Sequence, residues 1–101
     1  MVWPECAWPA YFLGSAEHYR RTADRRAEFA AVLERLAAIA RRHEIHLAAG
    51  LVEELDRGRL SNAAILFGPD GSELVRYRKH LLWHFDSLYF TPGDEVPVVE
   101  T

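Results

Sequence analysis

Cysteine, long apolar runs and surplus positive charge are all scarce in this sequence, and each shortage excludes something. Cys6 stands alone, so no internal disulfide can form. No uninterrupted apolar stretch approaches the ~20 residues that a helix needs to cross a bilayer, and the N-terminus lacks a charged region followed by the apolar core of a secretory signal. Twelve Lys and Arg stand against fifteen Asp and Glu, for a formal charge of −3. That balance offers no electropositive surface for nucleic-acid phosphates or an anionic membrane. Repeats, low-complexity tracts and linkers are missing too, so the 101 residues read as one domain at most. The absences together describe a soluble, cytoplasmic chain that binds neither nucleic acid nor membrane.

What is present suits a packed core, since half the residues are apolar. From about Ala23 to Arg42, Phe29, Val32, Leu33, Leu36, Ile39 and Ala40 recur at spacings of three and four. Arg25, Arg26, Glu28, Glu34, Arg35 and Arg41 fill the other face, which predicts one long amphipathic helix. Thr22 or Asp24 is placed to cap its start, and Arg41, Arg42 and His43 suit the carbonyl end of its dipole. An irregular segment with Gly14 and Ser15 precedes it. After the helix the period changes. IHLAAGLVEEL, SNAAILFG and SELVRYRK read as strands separated by DRGR and PDG, the last two forming a hairpin about Pro69-Asp70-Gly71. An aromatic, irregular stretch, HLLWHFDSLYF, leads through Pro92-Gly93-Asp94 into VPVVE.

The order of these pieces resembles the N-terminal half of the nitrilase, or carbon-nitrogen hydrolase, superfamily. VWPE is similar to the family's apolar-Pro-Glu signature, and NAAILFGPDGSELVRYRK to the hairpin that delivers its lysine, with FTPGDEVPVVE following. The resemblance covers nearly the whole chain. It implies an α/β fold, a partial nitrilase-type α-β-β-α sandwich in which one long helix packs on a mostly antiparallel sheet, with residues 1–101 forming part of the domain. It also implies a Glu-Lys-Cys mechanism on a small-molecule amide or nitrile, without a cofactor or metal, in an enzyme that forms a homo-oligomer when complete. The glutamate falls on Glu5 and the lysine on Lys79. In the family the carboxylate accepts a thiol proton, the thiolate attacks the amide or nitrile carbon, and the lysine stabilises the negative charge that develops.

Cys6 sits beside Glu5 and invites assignment as the nucleophile. Adjacent side chains of an extended segment point to opposite faces, so a Glu5 that looks into a cleft turns Cys6 away from it, as a small buried residue. The family's nucleophile comes from a strand downstream of the Pro-Gly-Asp segment, and the family's first strand and helix precede the glutamate. The expectation is therefore a domain trimmed at both ends and inactive alone. Two departures stand out: Ala10 where the family often has glycine, and His80 one place early in Lys-x-His-Leu, so no role is carried to His80.

Plainer readings stand beside these. Glu5 is also a solvated strand-end carboxylate on its face value, and Lys79 one more charge in the run Arg76, Arg78, Lys79. Arg76 and Arg78 share one strand face and Lys79 takes the other, which favours a separate job for Lys79. Trp8, Tyr11 and Phe12 either shape a pocket or pack; Asn62 satisfies backbone groups at a strand start. Two rival functions remain open at this point. His43 with His46 and His80 with His84 are spaced for a small metal module, the latter pair if that segment is helical. A noncatalytic half-domain that docks with a complementary chain is the other.

Overall fold

The computed structural model describes residues 1–9, 25–84 and 86–101. The expected cap at Thr22 or Asp24, the Gly14-Ser15 segment, Ala10, Tyr11 and Phe12 lie outside these residues. Helix α1 runs Arg25–His43, as the three-four spacing predicts. Its Ala, Leu, Glu and Arg content favours the helical state, and Leu36 and Ala40 are its most deeply buried residues. The helix stops in a nested pair of hydrogen bonds, Ile45 N–H to the Ala40 carbonyl at 3.0 Å and Glu44 N–H to the Arg41 carbonyl at 3.3 Å. Glu44 takes the left-handed position at φ 53° that such an ending demands.

Three strands follow: β1 (Leu47–Glu54), β2 (Leu60–Phe67) and β3 (Glu73–Arg78), in the antiparallel order β1-β2-β3. A one-turn 3₁₀ segment, Asp56–Gly58, joins the first two. Between β2 and β3 the turn closes as expected, with Gly71 at φ 84° and the Asp70 carboxylate accepting from the Ser72 N–H and hydroxyl. Residues 1–8 lie parallel along the free side of β1, bridging Val2 to Ala48 and Trp8 to Leu51. Six residues of this segment thus span what three of β1 span, so the chain bulges between the two bridges. Helix α2 is a single turn, Asp86–Tyr89, inside the aromatic stretch that sequence alone reads as irregular, and residues 91–101 have no regular structure.

Alternation along the strands divides the sheet into two faces. On one, Leu47, Ala49, Leu51, Ile65 and Phe67 pack with Phe29, Leu36 and Ala40 of α1 in a single cluster. Glu53 shares that face and binds Arg76 at 2.7 Å and Arg78 at 2.8 Å, a latch from β1 to β3 across β2. On the other face lie Ala48, Gly50, Asn62, Ala64 and Tyr77, by the pairing of Ala48 with Leu66, Gly50 with Ala64, and Ala64 with Tyr77. The expected α/β architecture, one long helix on an antiparallel sheet, is what the chain adopts. Among the described residues no helix is long and apolar enough to cross a membrane.

Candidate active site

Glu5 and Lys79, 74 residues apart in sequence, meet on the sheet face opposite α1, where Lys79 Nζ donates to Glu5 Oε1 at 2.9 Å. Each arrives by a distinct device. Lys79 is the first residue past β3, and its main chain is held on both sides: its N–H donates to the Asn62 carbonyl at 2.8 Å and its carbonyl accepts from Gly93 N–H at 3.0 Å. Arg76 and Arg78 turn to Glu53 on the opposite face, so the alternation that separates Lys79 from its basic neighbours is real. Glu5 sits in the bulge of residues 4–7, which presses on β1 at Gly50. A Cβ there would lie 2.3 Å from the Pro4 oxygen and 2.6 Å from Glu5 Cα, so only glycine admits the segment at this depth.

Two further side chains complete the cluster. Asp86 accepts from Lys79 Nζ at 2.7 Å and is 2% exposed; Asn62 Nδ2 donates to Glu5 Oε1 at 2.6 Å. The hydrogen bonds from Lys79 to Asp86 and to Glu5 push the lysine pKa up, so its ammonium is charged throughout the neutral range. Glu5 moves the other way: the Lys79 hydrogen bond lowers its pKa, burial opposes, and the Asn62 hydrogen bond lowers it further. The pair is carboxylate and ammonium at neutral pH. A cleft of about 430 Å³ opens beside it, lined in part by Trp3, Glu5, Gly50, Asn62, Tyr77 and Lys79.

Cys6 is brought close to this cluster but not into its chemistry. Residues 5–6 form a turn with Cys6 at φ 47° rather than the extended strand that alternation requires. The thiol nevertheless is buried, packed with Val52, Leu60 and Phe90. Burial, followed by the charges of Glu5 and Asp86, pushes it up to about 12, where it is neither nucleophile nor ready metal ligand. Trp8 packs against Phe29 with ring centroids 6.0 Å apart and lines a hollow beside α1 with Val32 and Arg35, not the cleft at Glu5 and Lys79. His80 turns its Nε2 to the Glu95 carbonyl at 2.7 Å and its ring towards Tyr77. Residues 80–84 are not helical, so the condition for pairing His80 with His84 is not met, and among the described residues no three His, Cys, Asp or Glu side chains converge on a metal position.

Sequence reasoning missed Asp86 and the side chain of Asn62. The available signals were an acid within an otherwise aromatic stretch and an amide inside a strand, where Asn is disfavoured. The Asn62 side chain, expected to satisfy backbone groups, donates instead to the Glu5 carboxylate, and the bond its main-chain carbonyl accepts from Lys79 N–H is one that any residue in its place would make.

The sequence model of the carbon-nitrogen hydrolase family matches residues 1–101. The chain belongs to the carbon-nitrogen hydrolase family. Among curated members it is 39% identical over 77 residues to omega-amidase NIT2 of Xenopus tropicalis, covering 67% of this chain and 28% of that one. It is 29% identical to nitrilase homolog 2 of Dictyostelium discoideum over 96% of this chain and 31% of the relative. A carbon-nitrogen hydrolase structure from Helicobacter pylori G27 superposes with a TM-score of 0.64 at 32% identity, over 68% of this chain and 24% of the other. An amidase structure from Nesterenkonia sp. gives 0.72 at 25% identity, over 99% and 37%. This family member thus spans less than two fifths of the length of each of these relatives.

Proposed function

We propose that this chain contributes the base and the oxyanion-stabilising lysine of a Glu-Lys-Cys amidase, with Glu5 and Lys79 in those roles. The observation that carries the reading is their 2.9 Å ion pair at the mouth of the cleft, formed by the two residues that match the family's motifs. Glu5 takes a thiol proton, and the thiolate attacks the amide carbon. The tetrahedral oxyanion forms against Lys79, and ammonia leaves with the proton returned by Glu5. Water, deprotonated by the same carboxylate, then cleaves the thioester and releases the acid. A carboxylate held below its ordinary range is a weak base while it faces Lys79 and solvent. Desolvation by a thiol and substrate strengthens it at the moment it is needed. The amide, rather than the nitrile, is the preferred substrate class because the relatives bear the names omega-amidase and amidase. The active unit is a homo-oligomer, as the resemblance implies, and works in the cytoplasm.

The nucleophile in this reading is not Cys6, and Cys6 is the sequence's single cysteine. The test is ammonia release from small amides and nitriles by the 101-residue chain, alone and co-expressed with a cysteine-bearing C-terminal segment of a related carbon-nitrogen hydrolase. The chain alone is expected to be silent. The assembled pair turns over amides, loses at least about 10³-fold on Glu5→Gln or Lys79→Met, and is indifferent to Cys6→Ser. Turnover by the chain alone that vanishes on Cys6→Ala, or assembled turnover that survives both site variants, overturns the proposal.

A further inference from the structure

We infer that Asn62 is the positioning residue of this site: its amide holds Glu5 by Oε1, which reserves Oε2 for the proton, while its main chain fixes Lys79 from the same point on β2. The inference rests on reading Glu5 and Lys79 as the catalytic pair.

Asn62 lies in β2, 5% exposed, where a polar side chain requires a partner and a strand does not favour Asn. Its partner is the Glu5 carboxylate at 2.6 Å. A carboxylate only accepts, so the amide must present its NH₂ and not its oxygen, and the orientation is dictated by chemistry. Lys79 Nζ reaches the same oxygen, at 2.9 Å. Two donors on Oε1, one of them charged, withdraw its electron density, and the proton goes to the other oxygen, Oε2.

The main chain of Asn62 does the second half of the work. Its carbonyl accepts the Lys79 N–H at 2.8 Å. Glu5 is on a bulged N-terminal segment and Lys79 is just beyond a strand end, so neither has a rigid element of its own. Asn62 gives both a common reference on the sheet. It also separates their fates during a reaction: when Lys79 turns its ammonium towards a developing oxyanion, Glu5 loses one donor but keeps the other and stays in place.

The groups that face Glu5 are Lys79 at the end of β3, Asn62 on β2, Asp86 on α2 and Cys6 on its own segment. The experiment is a carboxyl ¹³C NMR titration of glutamate-labelled 101-residue chain, with Glu5→Gln to assign the signal and Glu53, on the opposite face, as internal reference. Asn62→Ala is expected to shift the Glu5 midpoint upward, and Asn62→Asp, isosteric and anionic, to shift it further, with Glu53 unmoved. A merely structural role moves both glutamates together and overturns the inference. So does an unmoved Glu5 in folded variants. Should the variants unfold, the unsubstituted chain supplies the readout: a through-hydrogen-bond scalar coupling between Asn62 Nδ2 and the Glu5 carboxyl carbon supports the contact, and its absence where backbone couplings are resolved refutes it. Failure of the catalytic reading is scored separately, by ammonia release in Glu5→Gln, and leaves the titration result intact.

Discussion

Cys6 lies 2% exposed among Val52, Leu60 and Phe90, with its thiol pushed up to about 12 by burial and then by the charges of Glu5 and Asp86. At pH 8 its thiolate fraction is smaller than that of a free cysteine by roughly a thousandfold. Alkylation by iodoacetamide, followed by intact mass, is expected to be slower by that order in the folded chain and normal in denaturant; fast labelling under native conditions contradicts this. Glu53 shows the opposite balance. Burial raises its pKa, but the bonds from Arg78 and Arg76 and their charges outweigh it, so the carboxyl is held below its ordinary 4.5. A carboxylate whose folded pKa is depressed contributes stability above its unfolded pKa and loses it as pH falls through the folded value. Urea midpoints should therefore drop as pH falls below about 4.5, and Glu53→Gln should flatten that dependence. The substitution should cost about 2 to 3 kcal/mol at neutral pH, below the ~3 to 5 of a fully buried pair, because Arg76 and Arg78 are 25% and 42% exposed.

At the scale of elements, the sheet works as a jig for the site. β1 supplies the notch at Gly50, β2 the anchor at Asn62, and β3 carries the chain to Lys79, while α1 seals the far face. Gly93 repeats the device of Gly50 where the tail crosses the end of β3: a Cβ there would lie 2.3 Å from the Arg78 oxygen. Gly50→Ala tests the jig. Its new methyl meets backbone atoms, which cannot rotate aside, so the segment carrying Glu5 must lift from β1. We expect a loss of about 3 kcal/mol in chemical denaturation together with loss of the downward shift of the Glu5 titration midpoint. An unchanged midpoint with native stability would show that the bulge is not seated by this glycine. The helix and the β2–β3 hairpin were legible from residues alone, since a three-four repeat of apolar side chains and Pro-Asp-Gly are local signals. The bulge of residues 4–7 was not, because it depends on which residues of β1 the segment meets. That is why alternation, applied to Glu5 and Cys6 as if they were extended, described the wrong local geometry.

The whole molecule is a helix layer and a sheet layer, and among the described residues the sheet face opposite α1 is covered by helix only at one end, by the single turn α2. Val2, Leu81, Trp83, Leu88, Val96 and Val98 are largely exposed, and β3 pairs with β2 on one side only among the named strands. Exposed apolar surface and an open strand edge both promote association, so the 101-residue chain is expected to self-associate in light scattering coupled to size exclusion. A monomer with a sharp thermal transition that does not move with concentration would refute this. Sequence by itself determined the helix, the hairpin, the separation of Lys79 from Arg76 and Arg78, and, through the two motifs, the family. These are properties of neighbours along the chain, where period and turn chemistry act. Only the tertiary structure decided that Glu5 and Lys79 touch, that Asn62 and Asp86 complete them, and that Cys6 is sealed in an apolar pocket. Those contacts depend on strand register and on the path of two irregular segments, and a polar residue's partner across such distances has no local signature.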